Sequence, residues 1–348
     1  MSEIASVGLD FAKLVFQVHG ADINGKSVMR KKLRRAQVLG FFAKLRPCLV
    51  GLEACAGAHY WAREFEVLGH EVRLIPPHFV KPFVKTNKND VSDAEAICEA
   101  LMRPTMRYAP VKSVEQQSVL MIHRTREILV RQKTMLINAL RGHFSELGIV
   151  VAKGPSRVAE LIAVIEDPND SRLPALAREA LGCLVNQLKG IRTQILYLEM
   201  KLRTWHRNNE ARQRLAAVPG FGVIAATVLV ATIGDITKFH SGRQFAAWLG
   251  LVPRQYSSGG KERLGRISKR GDGYLRKLLV HGARTVLTWS RRKKEARSQW
   301  LDALLARRHT NVVLIAMANK TARTVWAMLS RYEAFQISHR AMAWDSTG

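Results

Sequence analysis

Ser257 and Ser258 stand side by side in Tyr256-Ser257-Ser258-Gly259-Gly260, inside a strongly cationic stretch. From Leu249 to Leu279 the cations are Arg254, Lys261, Arg263, Arg266, Lys269, Arg270, Arg276 and Lys277, against the acids Glu262 and Asp272. A hydroxyl on a glycine-rich loop in such a field is placed to meet a phosphate, because glycine lets the backbone approach and the cations attract the anion. Two roles fit. One serine could attack phosphorus, or both could only bind phosphate beside Lys261. Ser258 directly precedes the glycines, so its backbone can approach a phosphate most closely. No His/Asp pair marks a hydrolase triad, so an attacking hydroxyl would need activation by arginines, by a metal, or by both.

Phosphate binding gains no affinity from acids, yet the other end of the chain spaces several. Asp10 closes Val7-Gly8-Leu9-Asp10, and Glu53 closes Leu49-Val50-Gly51-Leu52-Glu53. Asp90 and Asp93 lie in Asn87-Lys88-Asn89-Asp90-Val91-Ser92-Asp93-Ala94, with the i, i+3 spacing that shares one helix face. Converging in one cleft, these carboxylates would repel unless cations bound them. Hard oxygen ligands favour Mg²⁺ or Mn²⁺, and a pair of such ions can clamp the attacking and leaving oxygens of a phosphodiester. Each acid alone has a plainer role: Asp90 as an N-cap, Asp93 as a complement to the helix dipole, Glu53 as a loop charge. Glu95 and Glu99 read as solvated helix acids, and Asp235 as a cap. The order strand, strand, helix is that of a ribonuclease-H-like nuclease.

These residues need a scaffold. The pattern predicts strands over 4–9, 14–19 and 27–33, with turn chemistry in Asp22-Ile23-Asn24-Gly25. A helix over 37–45, a strand over 48–52, a helix over 60–68 closed by Gly69 and a strand over 71–75 stopped by Pro76-Pro77 follow. Residues 1–110 therefore read as a mixed α/β domain. Residues 111–208 carry almost no strand signal. Leu181, Leu184, Leu188, Ile191, Ile195, Leu198, Leu202 and Trp205 step by three and four, a heptad seam. We expect a helical arm that pairs with an earlier helix over 114–147 and also contacts a second protomer. Residues 209–335 read as mainly helical. Around Pro219-Gly220-Phe221-Gly222 the pattern is helix, turn, apolar helix, as in a helix-hairpin-helix. Its turn, at Gly220 and Gly222, could hold a backbone phosphate or simply join two packed helices. Residues 254–277 read as a basic loop, and 336–348 as a frayed tail.

A chain of 348 residues that is 47% hydrophobic can build two or three cored domains. Its formal charge of +27 predicts a polyanionic partner with salt-dependent affinity. The charge is spread along the chain rather than gathered on one amphipathic helix, which fits nucleic acid better than a membrane surface. The longest apolar run, 223–233, is too short to span a bilayer. Cys48, Cys55, Cys98 and Cys183 lack zinc-site spacing and read as reduced, mostly buried thiols of a cytosolic protein. The start, MSEIASVGLDFAK, lacks the bases and apolar core of a signal peptide.

Gly8-Leu9-Asp10-Phe11-Ala12-Lys13, Glu53-Ala54-Cys55-Ala56-Gly57 and Lys88-Asn89-Asp90-Val91-Ser92-Asp93-Ala94 resemble the DEDD motifs of the insertion-sequence "one-ten" transposases, which include the Piv-like invertases. Pro219-Gly220-Phe221-Gly222 and the block from Leu249 to Arg276 resemble the second conserved domain of that family. The middle region matches in helical character only. The resemblance implies a RuvC-like (RNase H-like) N-terminal domain, a helical coiled-coil arm and a C-terminal transposase domain. It implies a Mg²⁺ or Mn²⁺ site at Asp10, Glu53, Asp90 and Asp93. It also implies a catalytic serine, which the family's Tyr-x-Ser-Gly pattern places at Ser258, although this chain has serine at both positions. A homo-oligomer, dimer or tetramer, would set the metal site of one protomer against the serine of another. A noncoding RNA from the element would pair with donor and target DNA, in the bacterial cytoplasm at the nucleoid.

The expected activity is cutting and rejoining of DNA through a serine-phosphodiester intermediate. Arg254, Lys261, Arg263, Arg266, Lys269 and Arg270 would neutralise the phosphates around the break. Two alternatives compete: a RuvC-like, structure-specific nuclease that uses water and leaves free ends, and a non-catalytic nucleic-acid-binding protein.

Overall fold

Apolar residues alternate along the first strands and decide which face each side chain takes. Val7, Leu9, Phe16, Val18 and Leu33 are buried in one core, while Gly8 and Asp10 fall on the opposite face. The computed structural model describes residues 3–85, 90–152, 154, 156–207, 210–292, 298–333 and 335. The chain divides into two compact units, Met1–Gln116 and Gln117–Gly348.

In the first unit β1 (Ser6–Phe11), β2 (Val15–Ala21) and β3 (Ser27–Arg34) form an antiparallel meander. β4 (Leu49–Glu53) pairs with β1 in parallel, and β5 (Glu71–Ile75) pairs with β4 in parallel, giving the order β3-β2-β1-β4-β5. A 3-10 turn, Arg35–Gln37, leads into α1 (Val38–Phe42), so the expected helix over 37–45 is shorter than read. α1 and α2 (Ala58–Val67) cover one face with Phe42, Trp61 and Phe65. α3 (Pro77–Val80) opens at the proline pair, and α4 (Asp90–Leu101) covers the other face. Two glycines admit it. A Cβ on Gly8 would lie 2.2 Å from the Ala94 carbonyl oxygen, and one on Gly51 would lie 3.1 Å from the Leu101 side chain. The helix therefore rests almost on the backbone of the central strands.

The helical region consists of α5 (Val114–Glu146), α6 (Val158–Glu166) and α7 (Ala175–Arg207). Leu140 and Phe144 of α5 pack with Leu181, Val185 and Leu188 of α7, while Val119 near the start of α5 packs with Leu202 near the end of α7. The two helices are thus antiparallel, and Arg126 bonds Glu199 between them at 2.7 Å. The heptad seam is largely consumed within the chain: Leu181, Leu188, Ile191, Ile195 and Leu202 are buried. The exposed apolar residues of the pair lie elsewhere, at Val114, Met121, Ile128 and Met135 on α5 and Leu176, Leu196, Tyr197 and Met200 on α7.

α8 (Glu210–Ala216), α9 (Val223–Ile233), α10 (Gly242–Trp248), α11 (Gly273–Arg292), α12 (Gln299–Arg307) and α13 (Thr310–Arg331) make the C-terminal helical core. α9 is buried nearly all round, which is why its sequence is apolar without a face. His123 of α5 is locked into this core. The Thr227 hydroxyl donates to the Val223 carbonyl at 2.8 Å, so it accepts from His123 Nε2 at 3.1 Å, leaving Nδ1 to accept from the Tyr274 hydroxyl at 3.4 Å. Burial, with Arg126 and Arg124 nearby, pushes the His123 imidazole down to about 3 and keeps it neutral.

Residues 254–277, read as a basic loop, instead contain a two-stranded antiparallel ribbon, β6 (Pro253–Gln255) and β7 (Leu264–Ile267), followed by the start of α11. The expected arm and C-terminal region fall within one compact unit. Cys48 and Cys98 are buried, but Cys55 and Cys183 are exposed, and all of these are free thiols. Among the described residues no helix is long and apolar enough to cross a membrane. The tail over 336–348 and Asn87-Lys88-Asn89 lie outside the described residues.

Candidate active site: an acidic cluster and a basic ribbon

The glycines that admit α4 also place the acids. Gly8 and Asp10 are two apart on β1, and Gly51 and Glu53 are two apart on β4, so each acid follows its glycine on the same face. The parallel register pairs Gly8 with Gly51 and Leu9 with Leu52, which brings the two strand ends level. Asp90 is the first residue of α4, and Asp93 stands in its first turn. One carboxylate oxygen from each of Asp10, Asp90 and Asp93 can be chosen so that all lie within 4.8 Å of one another. Glu53 is outside this tight cluster but close enough to act on Asp10 through its charge.

Burial first, then the carboxylates of Asp93, Asp90 and Glu53, push the Asp10 carboxyl up to about 6. A group of hard oxygen donors with one member driven towards its protonated form is what a divalent cation would relieve. The donor set therefore fits Mg²⁺ or Mn²⁺. Other acids nearby are otherwise engaged: Glu95 takes Arg30 at 3.3 Å and Lys85 at 2.8 Å, and Glu99 takes Arg103 at 2.8 Å. Asp235 accepts from the Thr237 amide at 2.8 Å and is a cap.

In the second unit β6, β7 and the turn between them are exposed, with Tyr256 at 60% and Leu264 at 66%. A two-stranded ribbon is marginal without a second layer. Its base supplies the anchor instead. A Cβ on Gly250 would lie 2.3 Å from the Arg270 carbonyl oxygen, and one on Gly271 would lie 2.0 Å from that of Trp248. The Arg276 guanidinium donates to the carbonyls of Leu249 and Arg270, at 2.9 and 2.8 Å. Lys277 lies 3.6 Å from Glu127. Arg276 thus serves the base of the ribbon and Lys277 meets α5, whereas Lys261, Arg263, Arg266, Lys269 and Arg270 are exposed along and below the ribbon. Arg254 is also exposed and donates to the Ser268 carbonyl at 3.3 Å.

At the tip the Lys261 amide donates to the Ser258 carbonyl at 3.1 Å. Gly259 and Gly260 have φ of 56° and 74°, the mirror-image turn that only glycine adopts readily at both positions. The two serines differ. Ser257 Oγ accepts from Gln255 Nε2 at 3.0 Å and from the Arg263 amide at 3.3 Å. Among the described residues the exposed Ser258 hydroxyl has no hydrogen-bond partner.

Gly220, with φ 75°, packs backbone to backbone against α11: a Cβ there would lie 2.6 Å from the Gly282 carbonyl oxygen. The close approach accounts for that glycine. Gly222, at the start of α9, has open space around it. Glycines 8, 51, 250 and 271 make room for the elements that carry these residues, and the repeated Gly-x-acid ending of β1 and β4 marks the first two in the sequence.

A family model described as "Transposase IS116/IS110/IS902 family" matches residues 212–300, and a second, described as "Transposase" and named for the DEDD motif of the same family, matches residues 7–149. The chain is similar to a "Probable family 20 transposase" of Pseudomonas aeruginosa, 52% identical over 334 residues that cover 96% of this chain and 99% of the relative. It is 42% identical to the "Transposase for insertion sequence element IS1111A" of Coxiella burnetii, over 97% of this chain and 92% of the relative. It is 39% identical to the "Transposase for insertion sequence element IS1328" of Yersinia enterocolitica, over 96% and 99%. A likeness that runs through both units, and through the acidic and the serine-bearing blocks alike, leaves one assignment: this chain belongs to the IS116/IS110/IS902 family of insertion-sequence transposases, enzymes that cut and rejoin DNA.

Proposed function

We propose that this transposase exchanges DNA strands through Ser258, assisted by a divalent cation held by Asp10, Asp90 and Asp93 with Glu53 beside them. The difference between the two serines carries this reading: the Ser257 hydroxyl is spent on the turn, and that of Ser258 is not. Ser258 Oγ bonds to the scissile phosphorus as the bridging phosphorus–oxygen bond to the neighbouring sugar breaks, and the serine proton ends on the released sugar oxygen. Attack by a sugar hydroxyl of another strand reverses these changes, frees the serine and needs no external energy source. Arg254, Lys261, Arg263, Arg266, Lys269 and Arg270 neutralise phosphates around the break. A bound Mg²⁺ or Mn²⁺ would supply charge neutralisation at phosphate oxygens. Gly222 at the open start of α9 is a backbone phosphate contact; Gly220 shapes the turn beside it.

A homo-oligomer, dimer or tetramer, is the proposed working form, and an element-encoded noncoding RNA is the proposed guide to donor and target DNA at the nucleoid. Both rest on the family resemblance, and the charge of +27 accords with an RNA partner as well as DNA.

Covalent trapping tests the chemistry. Protein, Mg²⁺, supercoiled element DNA and co-expressed noncoding RNA are incubated and quenched with denaturant. A protein–DNA adduct is expected with wild type and Ser257→Ala, and not with Ser258→Ala or Asp10→Ala. Cleaved DNA without an adduct, unaffected by Ser258→Ala, would overturn the serine route and leave the hydrolytic nuclease.

A further inference from the structure

The strand register extends the acidic cluster sideways. Asp10 on β1 pairs with Gln17 on β2, and Gln17 pairs with Lys32 on β3. Directly opposed residues share a face, so these side chains form one row on the α4 side of the sheet. The neighbouring position on that face of β3 is Arg34, paired with Val15. The rows on either side agree. His19 pairs with Arg30, whose guanidinium meets Glu95 of α4. The residues that alternate with them, Phe16 and Leu33, lie in the opposite core, where Lys31 stands over the Phe41 ring at 5.0 Å.

The cations on the α4 face fall into two classes. Arg30 is neutralised by Glu95. Lys32 and Arg34 are exposed, and among the described residues no carboxylate pairs with either. The Gln17 amide between Asp10 and Lys32 is half-buried and makes no side-chain hydrogen bond among the described residues. Two strand spacings put the Lys32 backbone about 10 Å from that of Asp10, and a lysine side chain covers much of this gap. Positive charge on an edge strand also deters pairing with other chains, but that purpose is served equally by Lys31 and does not call for a row that ends at an acidic cluster.

We propose that Lys32 and Arg34, with Gln17 between them and the acids, form a phosphate-binding ledge that carries a DNA strand across β3 and β2 into the acidic cluster. The inference rests on the reading above, in which that cluster acts on DNA. The ledge residues are positioning residues: they hold the phosphates beside the one that reacts.

The test uses the full chain with its co-expressed noncoding RNA and a fluorescent duplex of the element end. Binding is titrated against salt in EDTA, and single-turnover cleavage is measured in Mg²⁺ at saturating protein. Removing one cation from a phosphate lowers the log–log salt slope by about one, so Lys32→Ala with Arg34→Ala is expected to lower it by about two. Misplacing the strand should slow cleavage on the order of tenfold even at saturation. Lys31→Ala should change neither, and the charge-keeping pair Lys32→Arg with Arg34→Lys should restore both. Wild-type slope and rate in the double alanine variant overturn the ledge, as does an equal loss in Lys31→Ala. Asp10→Asn separates the two readings. If it cleaves normally, the metal-centre reading fails while the slopes in EDTA still decide the ledge.

Discussion

Asp10 is the residue in which the conflict between stability and function is sharpest. It is half-buried, it faces Asp90 and Asp93 within 4.8 Å, and its carboxyl is pushed up to about 6. Charge at this position opposes the fold when no cation is present, so Asp10→Asn is expected to raise the melting temperature of the metal-free protein, by about 2–4 °C for each kcal/mol of repulsion removed. Mg²⁺ should stabilise the wild type, by about 2.7 kcal/mol at a hundredfold excess over its dissociation constant, and should stabilise Asp10→Asn far less. Scanning calorimetry with and without Mg²⁺ checks both; equal shifts in the two proteins would place the ion elsewhere. The candidacy of these acids was legible in their types and spacing. The adjacent glycines and the family pattern single out Ser258 in the sequence, but the engagement of Ser257 by Gln255 and the Arg263 amide is not legible there, because it depends on how the turn folds.

Among the elements, α4 carries two of the three clustered acids. Its seat on Gly8 leaves no room for a methyl group, since a Cβ would meet the Ala94 carbonyl oxygen at 2.2 Å and the Cys98 amide at 2.5 Å. Gly8→Ala is therefore expected to lift the helix and destabilise the first unit by about 1–3 kcal/mol or more. It should also pull Asp90 and Asp93 away from Asp10, so that calorimetric stabilisation by Mg²⁺ is lost. Gly40→Ala, at a position with open space, is the matched control. The first strands of this unit were readable from alternation and turn residues, and β4 from its short apolar run. The ribbon was not. Its strands are short and exposed on both sides, so no apolar alternation was required of them; the Gly259-Gly260 pair was the only local hint of a hairpin. The seam on α7 is periodic as its sequence says, but periodicity alone names no partner. Its buried partners include Leu140, Phe144 and Val119 of the same chain.

For the whole molecule, a net charge of +27 is a standing self-repulsion that a polyanion offsets. Composition announced that much, and it could not say where the unpaired cations lie. Part of the charge is engaged in structure, as at Arg276 and Arg126, and part stands exposed on β3 and on the ribbon. The ribbon has a further consequence for the life of the molecule. It offers Lys261, Arg263 and Arg266 on an exposed strand pair, the surface that a trypsin-like protease reads. Bare protein should be nicked there first, and protein loaded with DNA should survive. Limited trypsinolysis followed by intact-mass analysis would show this as a cut between residues 261 and 267 that DNA suppresses; a cut indifferent to DNA would mean that the ribbon stays uncovered. The surviving fraction then counts occupied molecules, and any cellular protease of that specificity would selectively remove copies that have found no nucleic acid.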